Sequence, residues 1–389
     1  MRKRIPPSFP TAAILAWYRA NRREMPWRGS RDPYAVWLSE TMLQQTRVET
    51  VRAYFVRFLA RFPDVRSLAA APLPSVLKLW EGLGYYSRAR NLHAAAKRVA
   101  ESGSFPETAA GWAELPGVGP YTAAAVASIC SGEPVPVVDG NVARVAARFR
   151  AEPVDPRDPK ARAALAAWLR PAVEESGAPG DFNQAAMELG ETLCTPKSPR
   201  CGICPLRAAC RAAAEGAPER YPARPPARVL PVRRFAAFVV RASGGRVLLV
   251  RRPEEGLLGG LWELPMEPVA RRPREPGARR AFAAAGLRAE ALREIGMVSH
   301  AFSHFRQELF VWEAVRGAEK DPRAGRAFVR PENVAVATAT RRALVCASVR
   351  QAERFPENRK RGTTRYRLEP PGPKVGSSSS FPRRPERRR

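Results

Sequence analysis

Apolar positions recur every three or four residues from about residue 9 to 212, in Ala- and Leu-rich segments parted by short Pro/Gly turns. That periodicity predicts a mostly helical domain over 1–212, since an amphipathic helix repeats its buried face every 3.6 residues. Asp32-Pro33 reads as an N-cap followed by proline at the first helical position. Thr46-Arg47-Val48-Glu49 has the capping-box spacing and predicts another helix start. Gln44 and Gln45 then fall in the turn between two helices. Pro218, Pro222, Pro225, Pro226 and Pro231 interrupt the periodicity and mark 213–234 as a linker. Beyond it the pattern changes. Phe235–Arg241 and Arg246–Arg251 are strand-like runs around Ser243-Gly244-Gly245, a hairpin signal, and Leu309–Val315 predicts another strand. We read 235–345 as a smaller α+β domain. The remainder, 346–389, is polar and rich in Pro and Arg, with four serines at 377–380, and predicts a basic disordered tail.

Charge adds a partner to this picture. The net charge is +29, and residues 351–389 hold twelve Lys+Arg against four Asp+Glu. The rest is spread over folded sequence. Such an excess points to nucleic acid, because cations that neutralise phosphates release condensed counterions; a coding bias toward Arg is the competing explanation. No apolar run reaches the roughly 18–20 residues of a membrane span, and no apolar stretch follows Met1-Arg2-Lys3-Arg4. We therefore expect no membrane partner, a cytoplasmic and reducing location (on the nucleoid in a bacterium), and a monomer.

Four of the six cysteines, Cys194, Cys201, Cys204 and Cys210, are spaced C-x6-C-x2-C-x5-C. Four thiolates so close suit zinc or an iron–sulfur cluster, and spacing leaves both open. Cys130 and Cys346 are isolated and read as incidental thiols. Leu115-Pro116-Gly117-Val118-Gly119-Pro120-Tyr121-Thr122 joins two helical segments through a glycine turn, where backbone can approach a phosphate. Downstream, Val137-Val138-Asp139-Gly140-Asn141 places a carboxylate after a β-branched run, which alone would read as a helix-capping Asp.

Together the cysteine spacing, the glycine turn and the downstream aspartate resemble the helix-hairpin-helix signature of the endonuclease III superfamily of DNA glycosylases. Pro26-Trp27-Arg28, Ser39-Glu40-Thr41-Met42-Leu43-Gln44-Gln45-Thr46 and Gly82-Leu83-Gly84-Tyr85-Tyr86-Ser87-Arg88-Ala89-Arg90 sharpen the likeness toward its MutY-type adenine-specific branch, over about residues 9–345. The resemblance implies two helical subdomains with the site between them, a [4Fe-4S] cluster on the four cysteines, and phosphate contacts at Gly117 and Gly119. Double-stranded DNA bearing adenine opposite 8-oxoguanine or guanine is the implied partner, and adenine excision starting base excision repair the implied activity.

Bifunctional relatives carry a lysine after Pro120. Here Tyr121 offers no amine, so a monofunctional hydrolase of the N-glycosidic bond is expected. By resemblance Asp139 stabilises the positively charged sugar, electrostatically or as a transient covalent partner, and Glu40 is the general acid at the base. Tyr121 and Asn141 support them. Gln45 and Tyr85 would fill the gap left by the flipped base, and Trp27 and Arg28 would line its pocket; core packing is the alternative for Trp27 and Tyr85.

Leu248–Pro253 and Leu257–Pro265 resemble the start of a Nudix-like domain. Aligning its metal-binding pattern to end at Gly286-Leu287 puts Arg279 on the arginine but Arg280, Ala283 and Ala284 on three glutamates, so diphosphate hydrolysis is not expected. His300-Ala301-Phe302-Ser303-His304 resembles the loop that reads 8-oxoguanine, with Ser303 and His304 as its contacts; a plain β-turn is the bland alternative. Two rival functions remain: a glycosylase/lyase for oxidised pyrimidines, against which Tyr121 argues, and a non-catalytic iron–sulfur DNA-binding module, against which the joint presence of Glu40 and Asp139 argues.

Overall fold

The computed structural model describes residues 9–223, 229–315 and 325–354. The expected tail falls largely outside them, as does part of the linker. Helices come first, as the periodicity predicts: α1 (Thr11–Asn21), α2 (Pro33–Leu43), α3 (Val48–Arg61), α4 (Val65–Ala70), α5 (Leu73–Trp80) and α6 (Ser87–Ser102). They are followed by α7 (Ala109–Ala113), α8 (Pro120–Val126), α9 (Gly140–Arg150), α10 (Pro159–Glu175), α11 (Pro179–Thr192) and α12 (Arg211–Ala214).

Two apolar cores divide these helices. One gathers Trp37, Phe58, Trp80, Leu92 and Trp112 from α2 to α7. The other gathers Tyr18, Val145, Phe149, Phe182 and Leu189 from α1, α9 and α11, with the loop holding the four cysteines packed beside it. Two cores in one helical domain leave a seam, and the seam is where polar groups collect.

Local signals explain some boundaries and fail at others. Asp32 does cap α2, accepting from the Tyr34 and Ala35 amides, with Pro33 at the first position. The Thr46 capping box does not form. Helix α3 begins at Val48 with Arg47 at its cap and no side-chain bond, because the Thr46 hydroxyl instead accepts from Arg88 (3.1 Å). The turn before α8 needs Gly117: its φ is +74°, and an added Cβ would come within 2.4 Å of the Asn91 Cβ.

The second domain contains β1 (Val232–Val239), β2 (Val247–Arg251), β3 (Trp262–Glu263), β4 (Met266–Pro268), α13 (Glu275–Ala284), β5 (Ala291–Ala301), β6 (Arg306–Val315), β7 (Arg326–Val329) and α14 (Thr338–Arg354). Two sheets form, ordered β4-β1-β6-β5 and β3-β2-β7, and β1 runs parallel to β6. Strand β1 is apolar on both faces. Ala237 and Val239 meet α14 through Ala339 and Ala343, while Ala236 and Phe238 meet α13 through Ala278 and Phe282. Burial on both sides makes its second half, Phe235 to Val239, a continuous apolar run, not an alternating one.

The expected hairpin is corrected here, and two elements extend across the expected limits. The 243–245 turn reverses the chain, with one bridge between Arg241 and Val247, yet β1 and β2 part into different sheets and make no regular hairpin. Strand β1 starts at Val232, inside the expected linker. Helix α14 runs through the expected 345/346 boundary to Arg354, since Leu344 and Ala347 belong to the sheet's core.

Candidate active site

A cavity of about 420 Å³ opens at the seam between the two helical cores. It brings together Trp27, Arg28, Glu40, Gln45, Tyr121, Asp139 and Asn141, seven residues scattered over more than a hundred positions of sequence. Glu40 reaches it from the middle of α2 and is 6% exposed. Tyr121, in the first turn of α8, donates its hydroxyl to Glu40 Oε2 at 2.7 Å. Burial raises the Glu40 pKa, the Tyr121 bond and Arg28 oppose that rise, and the charge of Asp139 adds to it.

Asp139 enters from the other core as the N-cap of α9. Its Oδ1 accepts the Val142 amide at 2.7 Å and its Oδ2 accepts Asn141 Nδ2 at 3.1 Å. Burial raises this carboxyl too, while the Val142 and Asn141 amides, Arg144 and the Asn141 side chain hold it down. The two carboxyl groups therefore differ in kind. Glu40 keeps one phenol as its hydrogen-bond donor; Asp139 has backbone and side-chain donors plus a guanidinium nearby. Asp139 does cap α9, and the same side chain lines the cavity.

Trp27 is 7% exposed, packs edge-on against Phe55 with centroids 5.2 Å apart, and also lines the cavity. Gln45 and Tyr85 hold left-handed backbones (φ +57° and +47°), which cost energy in residues other than glycine. Gln45 lines the cavity; Tyr85 lies outside it and is 45% exposed, so core packing is not its role. Gly117 and Gly119 form the hairpin turn outside the cavity wall, and Gly119 has open space where a Cβ would stand. Ser303 and His304 sit in a different place, on the exposed tip between β5 and β6, bonded to each other at 3.3 Å. That tip is also a true turn, closed by the Phe302 amide on the Phe305 carbonyl (2.8 Å) and by stacking of those two rings.

Several polar residues around the site escaped the sequence reading. Glu188, 2% exposed on α11, pairs with Arg28 and Arg23 and fixes the Arg28 fork, which also donates to Tyr18 and Gln184. Arg144 donates to Asn141 Oδ1 (2.8 Å) and to the Cys194 carbonyl (2.7 Å), tying the Asp139 end of α9 to the cysteine loop. Arg88 donates to the Met42 and Gln44 carbonyls on one side and to the Leu83 and Gly84 carbonyls on the other. One buried guanidinium thus staples the Gln45 turn to the Tyr85 turn. Long sequence separation hid the pairs that cross the fold, such as Arg28 with Glu188 and Arg144 with Cys194.

The four cysteines line a second, smaller cavity, wholly apolar at its surface apart from the thiols and flanked by Arg148, Arg200 and Arg207. None is in a disulfide. Burial first, and then the three other thiols, push the Cys204 thiol up to about 11 against the lowering effect of a hydrogen bond from the Leu206 backbone. Arg148, 2% exposed, donates to Cys194 Sγ at 3.3 Å. Among the described residues no three His, Cys, Asp or Glu side chains are gathered as they would be around a single metal ion. The four thiols line this cavity beside the buried Arg148 guanidinium. No described helix is long and apolar enough to cross a membrane.

Two family models match the chain. Residues 38–171 match the HhH-GPD superfamily base excision DNA repair protein, and residues 236–345 match the NUDIX domain. Proteins named adenine DNA glycosylase are similar over most of the chain. The mouse protein is 35% identical across 92% of this chain and 80% of its own length. The human protein is 39% identical across 76% of this chain and 64% of its own, and the Arabidopsis thaliana protein 37% across 77% and 56%. The chain thus spans less than two thirds of the human and plant relatives.

Proposed function

The chain belongs to the adenine DNA glycosylase family, and from that premise we propose that it hydrolyses the N-glycosidic bond of adenine paired with 8-oxoguanine or guanine. The observation that carries the proposal is the meeting of Glu40 and Asp139 in one cavity with unlike surroundings. Adenine leaves as an anion unless it is protonated, and its departure leaves a cationic sugar. The catalyst therefore needs one carboxyl that keeps its proton and one that has lost it. Glu40, desolvated with a single donor, suits the acid; Asp139, fed by amides and Arg144, suits the carboxylate that faces the developing charge. Tyr121 orients Glu40, Asn141 orients Asp139, and Tyr121 stands where an amine would be needed for a lyase step. Products are free adenine and an abasic site.

Adenine must be flipped out to reach this cavity, which is buried between two cores. The exposed, strained Gln45 and Tyr85 are suited to occupy the vacated stack, with Trp27 and Arg28 around the base. Gly117 and Gly119 offer backbone amides to a phosphate. Ser303 and His304 are the proposed readers of the partner base. The four cysteines are proposed to hold a [4Fe-4S] cluster, which when bound supplies a rigid, redox-active centre beside α9. Arg148 and Arg144 link that loop to α9 through the Cys194 and Thr195 carbonyls. The location we propose is cytoplasmic. Single-turnover base release from A:8-oxoguanine, A:G, A:C and A:T duplexes tests the reading. Fast release from the first two without borohydride trapping is expected; trapping, or no release, overturns it.

A further inference from the structure

The turn bearing Tyr85 is built from both domains. In the chain it is the loop between α5 and α6, residues 81–86. Its first residue, Glu81, binds Arg341 of α14 through Oε1, and Lys78 through Oε2 at 2.7 Å. Lys78 Nζ also donates to the Val334 carbonyl at 3.0 Å. Its last residue, Tyr86, is 3% exposed and meets the Thr338 hydroxyl in the first turn of the same helix. One turn further into α6, Arg90 donates to the Gly259 carbonyl at 2.9 Å. Apolar contacts accompany these bonds: Leu261 and Ala335 of the second domain are buried in the core that contains Leu77 and Trp80.

Every one of these contacts brackets the Tyr85 turn, and none covers Tyr85 itself. Inside the turn the geometry is tight. The Tyr86 hydroxyl accepts the Gly82 amide (3.2 Å), Tyr54 donates to the Glu81 carbonyl (2.7 Å), and an added Cβ on Gly82 would strike the Tyr54 hydroxyl. A shift at either foot must therefore move the exposed ring between them. Arg88 carries any such shift onward to the Gln45 turn, through the carbonyls it holds on both sides.

We infer that the first turn of α14 is a clasp on the Tyr85 turn, so that what the second domain binds sets the position of Tyr85 on the DNA. This rests on the adenine glycosylase reading and adds to it a route by which the partner base governs excision. Arg341 and Glu81 are positioning residues in this account, since neither touches DNA or the reacting atoms. The second domain then does two jobs: its 302–305 tip reads, and its α14 transmits.

The test uses the full chain on duplexes carrying 2-aminopurine beside the partner base, together with single-turnover rates on A:8-oxoguanine and A:G. Arg341→Ala should lower the 2-aminopurine unstacking signal and reduce the rate preference for 8-oxoguanine by roughly fivefold or more, the lower range of coupling between sites. Arg341→Lys should restore much of both, and Glu81→Gln should repeat the loss from the other side. In the Arg341→Ala background, replacing Ser303 and His304 by Ala should remove less preference than it does alone, because the reading no longer reaches the turn. Multiplicative losses, or an unchanged fluorescence signal in both Arg341→Ala and Glu81→Gln, would overturn the clasp. The fluorescence reads binding alone. A wild-type chain that unstacks DNA yet releases no adenine would therefore sink the glycosylase reading and leave the clasp standing.

Discussion

The base cavity and the 302–305 tip are both candidate recognition sites, and they are built on opposite plans. In the cavity the polar side chains are buried and held before any ligand arrives: Glu40 by Tyr121, Asp139 by Val142 and Asn141, Arg28 by Tyr18, Gln184 and Glu188. At the tip, Ser303 and His304 are exposed and bond to each other, above a stacked Phe302–Phe305 base. The difference is what chemistry and recognition each require. A developing charge must be met by dipoles and charges that need not reorganise, in a place without bulk water. A base edge needs donors that are still free to bond. Damage to the first should cost orders of magnitude in rate; damage to the second should cost only a ratio.

The sharpest way to break that contrast is Asp139→Asn. Asparagine can still cap α9, so the fold should persist while the charge is lost. Adenine release should fall by about 10²–10³-fold or more, with mismatch binding largely kept, because the charge acts mainly on the transition state. Near wild-type single-turnover rates would remove Asp139 from the mechanism. Next in size is Arg144→Ala, which cuts the link between Asn141 and the Cys194 carbonyl. By analogy with other outer-shell supports it should cost about 10–100-fold in rate, and a lower melting temperature should accompany it. A rate loss with no change in melting would leave Arg144 tied to Asp139 alone.

These two predictions also mark where sequence stopped being informative. Asp139, Glu40 and Tyr121 were legible because they sit in long local motifs whose neighbours announce them. Glu188, and the bonds that Arg144 and Arg88 make across the fold, were not, because those partners lie far along the chain: 160 residues separate Arg28 from Glu188, 50 separate Arg144 from Cys194 and 44 separate Arg88 from Gln44. The same holds for the fold. Helix positions and the Asp32 cap follow from local pattern. The pairing of β1 with β6, and the split of an apparent hairpin into two sheets, depend on nonlocal burial that no local signal carries. Thr46 failed as a cap because Arg88, 42 residues away, claimed its hydroxyl.

At the tip, replacing Ser303 and His304 together with Ala should leave adenine release from A:G largely intact and lower the preference for A:8-oxoguanine. Losing one or two hydrogen bonds is worth on the order of 1–3 kcal/mol, roughly a five- to hundredfold drop in the ratio of rates. A ratio that does not move would mean the partner base is read elsewhere, and the contrast between the two sites would lose its second half.

The smallest expected effect is the most diagnostic of the cavity, and it concerns pH. Glu40 must be protonated to act as an acid, so the rate should fall as pH rises through its burial-raised pKa. Asp139 must be ionised, so the rate should fall again as pH drops through its own. The Tyr121 hydroxyl donates to Glu40 and favours the ionised form, which means it holds that pKa below where burial alone would put it. Tyr121→Phe removes the donor and keeps the ring. The protonated acid then persists to higher pH, and the alkaline limb of the profile should move upward, because the ionised form has lost a hydrogen bond. The plateau rate should change little, because the lost donor acts on where the acid titrates and not on its reach to the base. The acid limb should stay in place, because Asp139 draws its donors from Val142 and Asn141 and not from Tyr121. An acid limb that moved upward instead would reverse the assignment: Glu40 would then be the group that works ionised, with Tyr121 keeping it so.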